Sequence, residues 1–208
     1  MEKTQAVSFD FTAVSQAFFS TEQLKKISHQ TIGIAGCGGL GSNCAMNLVR
    51  SGFARFVLID YDLIEASNLN RQFYFADQVG RPKVAALKEN LLRINPQLSI
   101  TVWQIKIDRI NARNLFKECS VIVEAFDRAD AKVMLTQQFL SDDRLFVCAS
   151  GLAGIGNSDR IRIRKLNRSS YMVGDGTSEV SETCRPHSPR VAITAAKQAD
   201  VVLQWVVQ

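Results

Sequence analysis

The sequence predicts an α/β fold, a Rossmann-like, doubly wound and mainly parallel sheet with helices on both faces. Three observations support this prediction. Short apolar runs typical of buried strands alternate with segments of helical periodicity. The first strand runs directly into a glycine-rich turn that opens a helix. The 208 residues are 46% hydrophobic and 22% charged, as in a soluble globular protein. We therefore expect a single domain over residues 1–208.

In the first half of the chain, hydrophobic periodicity assigns each element in turn. Apolar residues at helical spacing predict one or two helices between residues 10 and 30, in an N-terminal helical segment, 1–30. Pro82 starts a later helix, because a proline is tolerated in the first turn. Residues 63–81 are polar and irregular. The other elements predicted here are a strand at 31–35, a helix at 42–51, a strand at 56–59, a helix at 83–94 and a strand at 98–103.

In the second half the same alternation continues. The pattern predicts a helix at 112–117, a strand at 121–123, a helix at 129–140, strands at 145–149 and 160–165, and a last helix at 191–207. Residues 167–189 are rich in Gly, Ser and Thr and show no periodicity, so they are predicted to form a long loop. A loop of this length is typically functional, and we expect a lid or a crossover loop.

Composition and charge exclude several classes of protein. The net charge is +5, which is only weak evidence for an acidic partner or a nucleotide. No dense run of Lys and Arg with interleaved aromatics is present, so nucleic-acid binding is not expected. No stretch has the ~18 apolar residues that a membrane span requires, and residues 1–20 do not resemble a signal peptide. The five scattered cysteines favour reduced thiols and a cytoplasmic location, and argue against a structural zinc site.

The glycine-rich turn carries the strongest functional signal. Gly36, Gly38 and Gly41 have the Gly-x-Gly-x-x-Gly spacing, between a predicted strand and a predicted helix, and Asp60 follows at the end of the next strand. Glycines let the backbone approach a phosphate closely, and the helix N-terminus offers free N–H groups. An aspartate in the position of Asp60 can accept hydrogen bonds from ribose hydroxyls. The turn therefore predicts a nucleotide site.

Several residues around this turn favour ATP over NAD. The turn has an additional glycine, Gly39, and the second strand ends in a second acid, Asp62. Two cations, Arg71 and Lys83, follow, and an adenylating site needs such charges because pyrophosphate accumulates charge as it leaves. The amides available to orient phosphate oxygens are Asn68 and Gln72. An NAD(P)-linked oxidoreductase stays open as an alternative.

These motifs together resemble the ThiF/MoeB/HesA family, the bacterial relatives of ubiquitin-activating enzymes. The resemblance runs from about residue 20 to the C-terminus. The compact length and the C-terminal sequence are similar to the short ThiF subgroup. The segments that carry the resemblance are residues 36–42, 60–62, 67–72 and 81–83, with Asp127.

The resemblance implies an adenylyltransferase that uses ATP and magnesium. Arg71, Lys83 and Asp127 would be the catalytic residues, and Asp127 would coordinate the magnesium ion. The nucleotide would lie against Gly36, Gly38, Gly39, Gly41, Asp60, Asp62, Asn68, Arg71, Gln72 and Lys83. The substrate would be the C-terminal glycine carboxylate of a small ubiquitin-like sulfur-carrier protein, ThiS-like and ending in Gly-Gly, in thiamine-type sulfur transfer.

Some features of the resemblance leave alternatives open. Cys184 lies where the family often has a cysteine in its crossover loop, either as a link to the carrier or as an ordinary loop residue. Family members often bind zinc through two Cys-x-x-Cys pairs, which this chain lacks, so no zinc is predicted. They also often carry an N-terminal arginine, whereas residues 1–30 contain none; Lys25 or Lys26 is a substitute, or the chain is a non-catalytic member. A homodimer is expected, with the last helix at its interface or inside the core.

Overall fold

The computed structural model describes residues 10–208, and the part of the predicted N-terminal helical segment over residues 1–9 lies outside the described residues. Seven strands form one sheet. They are β1 (Ile32–Ala35), β2 (Arg55–Ile59), β3 (Ser99–Trp103), β4 (Val121–Glu124), β5 (Leu145–Ala149), β6 (Arg162–Lys165) and β7 (Ser170–Gly174). The helices are α1 (Phe11–Gln16), α2 (Thr21–Ser28), α3 (Gly39–Arg50), α4 (Lys83–Leu92), α5 (Ala112–Leu115), α6 (Ala129–Phe139) and α7 (Ser188–Val207).

The strand order in the sheet is β3-β2-β1-β4-β5-β7-β6. Every neighbouring pair is parallel except β6 and β7, which form an antiparallel pair at one edge. The central strands β1 and β4 are buried along their whole length, because helices cover both faces of a parallel sheet. The predicted fold class, a Rossmann-like and mainly parallel α/β sheet, is therefore confirmed.

Two hydrophobic cores lie on opposite faces of the sheet. The larger one joins apolar residues of α3, α4 and α7 to the sheet, and the smaller one joins α5 and α6 to the other face. The predicted C-terminal helix is α7, whose apolar residues pack against α3 and against β5 and β7. Val191, Ala195 and Val202 of this helix are buried. These residues of the helix therefore lie inside the core, while the homodimer and a place for this helix at its interface stay predictions.

The predicted loop over residues 167–189 is wrong at both of its ends. Residues Ser170–Gly174 form β7, which hydrogen-bonds to both β5 and β6, and α7 begins at Ser188. The strand is short and follows a polar turn, so its own sequence gives little periodicity; pairing on both edges stabilises it. The crossover loop is therefore confined to residues 175–187.

The other differences concern the ends of elements. The helix predicted from residue 42 begins at Gly39, because the glycine-rich turn itself supplies the first helical turn. The irregular segment 63–81 contains two short 3-10 turns, Ala66–Asn68 and Ala76–Gln78. Between residues 10 and 208, no helix combines the length and the apolar character that crossing a membrane requires.

Candidate nucleotide site

The sheet reverses its winding direction between β1 and β4, which is where open α/β sheets bind ligands. A cavity of about 550 Å³ lies at the carboxyl ends of the central strands at this point. Its walls include the glycine-rich turn after β1, the acidic residues after β2 and the segment after β4. The predicted site residues that line it are Gly36, Gly38, Gly39, Asp60, Asp62, Arg71, Gln72, Lys83 and Asp127.

The glycines of the turn have different roles. Gly36 has a φ of 95°, a conformation that residues with a side chain rarely adopt. A Cβ on Gly41 would lie 1.8 Å from the carbonyl oxygen of Gly36, so this position must be glycine for α3 to pack against the turn. A Cβ on Gly38 would meet only the Gln72 amide nitrogen, at 3.8 Å. Gly38 therefore leaves open space at the start of α3, whereas Gly41 is required by the fold.

Asp60 fixes the geometry of the turn at the end of β2. Its buried carboxylate accepts hydrogen bonds from the backbone N–H of Cys37 at 2.6 Å and of Asp62 at 2.8 Å. Burial raises the pKa of Asp60, and the nearby Lys83 ammonium and the two N–H groups oppose that rise. The carboxylate joins β1 to β2 and also lines the cavity, where it can accept hydrogen bonds from a ribose.

Lys83 is held at the cavity wall by an ion pair. Its Nζ lies 2.7 Å from Oδ2 of Asp62, and the lysine side chain is 9% exposed while that of Asp62 is 44% exposed. A buried ammonium requires such a partner. Asp62 therefore positions Lys83, a contact that the sequence pattern did not reveal.

Arg71 and Gln72 approach the glycine-rich turn from the segment after β2. The Arg71 guanidinium donates to the carbonyl of Ser67 at 3.2 Å and to the side chain of Asn70 at 2.7 Å. Gln72 is buried, and its Oε1 has no hydrogen-bond partner among the described residues. Because buried polar atoms rarely lack a partner, this amide is the kind of group that a ligand would satisfy.

Asn68 and Gly41 are the two predicted contacts that do not line the cavity. The Asn68 side chain accepts a hydrogen bond from the backbone N–H of Glu65 at 3.2 Å and so closes the 3-10 turn at Ala66–Asn68. It supports the backbone that presents Arg71. Gly41 supports the turn from within α3.

Asp127 stands at the cavity rim after β4, and its side chain is exposed. Residues 10–208 contain no cluster of three or more His, Cys, Asp or Glu side chains that would hold a metal by themselves. A magnesium ion bound mainly by phosphates needs only one or two protein carboxylates. Asp127 therefore fits a shared site, but not a metal cage made of protein alone.

An ion pair between Glu124 and Lys132, which the sequence analysis did not predict, flanks the segment that carries Asp127. Glu124, at the end of β4, is fully buried, and its two carboxylate oxygens lie 3.0 and 3.1 Å from Nζ of Lys132. Glu124 also accepts a hydrogen bond from the Phe126 N–H at 2.7 Å, while Lys132 donates to the carbonyl of Ala149. The pair thus shapes the turn that carries Asp127. The sequence did contain one indication of this pair, because Glu124 ends an apolar strand, where a buried charge needs a partner.

The cysteines divide into two groups. Cys37, Cys44, Cys119 and Cys148 are buried. Burial raises the pKa of Cys119 and of Cys148 to about 12, and it also raises those of Cys37 and Cys44, so these thiols are unsuited to act as nucleophiles.

Cys184 is half-buried and lies outside the nucleotide cavity. It lines a separate cavity of about 530 Å³ under the crossover loop, together with Arg185 and His187. Ser178 lines both cavities, so the two are neighbours. The structure therefore does not bring Cys184 together with Arg71, Lys83 and Asp127.

Three comparisons place this geometry among known proteins. The model of the ThiF family matches residues 12–208. The chain is 35% identical over 94 residues to ubiquitin-like modifier-activating enzyme 5 of Caenorhabditis elegans, covering 45% of this chain and 22% of that protein. It is 29% identical over 127 residues to adenylyltransferase and sulfurtransferase MOCS3 of Danio rerio, covering 61% and 28%.

The same fold is found in a solved structure. The E. coli tRNA N6-threonylcarbamoyladenosine dehydratase TcdA, in complex with AMP, superposes with a TM-score of 0.86 at 20% sequence identity, covering 97% of each chain. The chain spans only between a fifth and a third of the length of the two curated relatives above. Since the family model matches nearly the whole sequence, the chain belongs to the ThiF family.

Proposed function

We propose that this protein binds ATP in the cavity at the carboxyl ends of β1 and β4 and transfers its adenylyl group to a carboxylate. The observation that carries the proposal is the convergence of Arg71, Lys83 and Asp127 on one cavity that also contains the glycine-rich turn. Two cations beside a helix N-terminus suit a triphosphate better than the single pyrophosphate of a dinucleotide. MOCS3, one of the relatives, is named as an adenylyltransferase.

In the proposed reaction, one oxygen of the substrate carboxylate attacks the α-phosphorus of ATP. A bond from that oxygen to phosphorus forms, and the bond from phosphorus to the β-phosphate oxygen breaks, giving an acyl-adenylate and pyrophosphate. No general base is required, because a carboxylate is already ionised at neutral pH. Catalysis then depends on positioning and on neutralising the charge that develops on pyrophosphate.

The residues of the cavity would divide this task. Asp60 would hold the ribose, and the N-terminus of α3 would hold phosphate oxygens over Gly38. Arg71 and Lys83 would neutralise the leaving pyrophosphate. A magnesium ion, held by the phosphates and Asp127, would supply further positive charge.

We propose as substrate the C-terminal glycine carboxylate of a small ubiquitin-like sulfur carrier ending in Gly-Gly. The extended crossover loop 175–187, which lines both cavities, leaves room for a flexible protein tail beside the nucleotide. Relatives named for ubiquitin-like modifiers and for sulfur transfer favour this class of substrate. Service in thiamine-type sulfur transfer and a homodimeric state belong to the same proposal.

The test is the exchange of labelled pyrophosphate into ATP. Exchange is expected only when a carrier ending in Gly-Gly is present, and a carrier that lacks its last glycine is the matched control. Absence of exchange with every Gly-Gly carrier of the organism would contradict the proposal.

A second candidate is adenylation of a carboxylate borne by tRNA. The E. coli dehydratase, whose fold this chain shares, is named for a tRNA nucleoside. The same assay separates the two candidates, because carboxylate-bearing tRNA would then support exchange and the carrier would not.

A further inference from the structure

The segment at one edge of the sheet has an excess of positive charge equal to the net charge of the chain. Residues 160–168 contain five of the 25 Lys and Arg residues and none of the 20 Asp and Glu residues. The rest of the chain therefore carries 20 of each sign. The net charge of +5 is thus fully accounted for by one segment of nine residues.

The structure places these cations together, without ion-pair partners among the described residues. The basic edge, as we call it, consists of Arg160, Arg162, Arg164, Lys165 and Arg168, all exposed on β6 or on the turns beside it. Within residues 10–208, the ion pairs include none of these five side chains. The sequence pattern predicts a strand over residues 160–165 but assigns no function to the cations on it.

The backbone of β6 is available for pairing as well. β6 is the last strand of the sheet, and only β7 pairs with it among the described residues. Ile163 and Leu166 are exposed between the cations, with 40% and 42% of their surface accessible. An open strand edge can pair with a further protein strand, and since cations along an edge disfavour such pairing, they select a strand that carries acidic side chains.

The basic edge is connected to the candidate site. Arg160 lines the cavity under the crossover loop, and Arg164 donates to the carbonyl of Asp175 at 3.1 Å, where that loop begins. Ser178 of the same loop lines the nucleotide cavity too. A partner bound at β6 is therefore close to the entrance through which its C-terminal tail would reach the nucleotide.

We propose that the basic edge is the docking surface for an acidic face of the protein that bears the reacting carboxylate. This inference rests on the proposed function. Opposite charges across an interface steer the encounter and fix its register. A second copy of this chain is a poor occupant, because two β6 edges side by side would place cations against cations. Single-stranded RNA is a poorer fit, because the outward-facing residues of β6 offer no aromatic side chain for base stacking.

The experiment compares charge reversals in the full chain. The first variant is the double substitution Arg162→Glu/Arg168→Glu. Neither arginine side chain makes a hydrogen bond or ion pair within the described residues, so we expect the variant to fold. Arg50→Glu/Lys117→Glu makes the same change in net charge at exposed positions on α3 and after α5. The readouts are the KM values for carrier and for ATP in pyrophosphate exchange, and direct calorimetric binding of the carrier without ATP.

We expect the first variant to raise the KM for the carrier at least tenfold while the KM for ATP changes less than twofold. The control variant should leave both values unchanged. Raising the salt concentration should weaken carrier binding to the wild type and have little effect on the variant, because screening acts on exposed charges. An unchanged carrier KM in the first variant would overturn the proposal, and would leave the cations with only the role of protecting a strand edge.

Failure of the proposed function would look different. If the wild type binds the carrier without exchange, and Arg162→Glu/Arg168→Glu loses that binding, the docking surface is retained and adenylation of this carrier is rejected. Wild type that neither exchanges nor binds carrier would overturn both. Binding of labelled total tRNA that falls in the first variant, with carrier affinity unchanged, would assign the basic edge to nucleic acid and reject the proposal.

Discussion

At the scale of single residues, the side chains around the cavity differ in how firmly the protein already holds them. Asp60 is fixed by two backbone N–H groups, and Lys83 is fixed by Asp62. Asp127 is exposed at the rim. Under the proposed function, cations and a ribose acceptor that are held in advance would need little reorganisation during the reaction.

Replacement of Asp127 by alanine tests this assignment. We expect pyrophosphate exchange to fall by about a hundredfold or more, as for loss of one group that stabilises developing charge. The free energy of unfolding should change by less than about 0.5 kcal/mol, because the side chain is exposed. Exchange rates at several magnesium concentrations, with urea unfolding in parallel, measure both effects.

The matched control is Asp130→Ala, three residues further along. Asp130 is also exposed at the cavity, but it pairs with Arg128 at 2.7 Å. We expect exchange in this variant to stay within about threefold of wild type, since an ion pair between two fully exposed side chains contributes little. Equal loss in the two variants would remove the special role of Asp127.

At the scale of elements, the glycine-rich turn combines a requirement of the fold with a requirement of the ligand. Gly41→Ala should cost at least about 3 kcal/mol of unfolding free energy, because its Cβ would meet the Gly36 carbonyl at 1.8 Å. Gly38→Ala should cost about 1 kcal/mol or less, yet weaken ATP binding, because its Cβ enters the open space over α3. Urea unfolding and ATP titration of both variants measure the difference. Equal stability of the two would show that the close packing of Gly41 is not maintained.

The corner between α6 and β5 makes stability depend on pH. The Arg144 guanidinium, which donates to Asp142, lowers the pKa of that carboxyl to about 2 from an ordinary value of 3.8. A depressed pKa means that its contribution is complete above pH 3.8 and is lost as the pH falls toward 2. Unfolding free energies measured between pH 5 and 2 should therefore fall less steeply in Asp142→Asn than in wild type. Parallel curves for the two proteins would contradict this assignment.

The elements also show how far the sequence can predict this structure. The strands and helices around the glycine-rich turn could be predicted from the sequence, because each buried strand there is a continuous apolar run followed by a recognisable turn. β7 could not be predicted from the sequence, since its stability comes from pairing with β5 and β6 on its two sides. The ion pairs of Lys83 with Asp62 and of Lys132 with Glu124 join residues 21 and 8 positions apart, and only the fold brings such partners together.

At the scale of the whole molecule, the two candidate ligands of the nucleotide cavity are ATP and a dinucleotide. Whichever of them binds stabilises the entire fold. A nucleotide present at about 100 times its Kd stabilises the native state by about 2.7 kcal/mol. For a chain of 208 residues, this corresponds to a rise in Tm of about 5–10 °C.

We expect ATP with magnesium to produce this rise and NAD to produce none at the same concentration. Arg71→Ala should reduce the ATP effect, because a charge-assisted contact to phosphate is worth about 1.5–3 kcal/mol. Thermal unfolding with each nucleotide, in wild type and in this variant, gives the comparison. A rise with NAD that Arg71→Ala leaves unchanged would favour the oxidoreductase alternative, because a dinucleotide needs the glycine turn and Asp60 but no cation over a triphosphate.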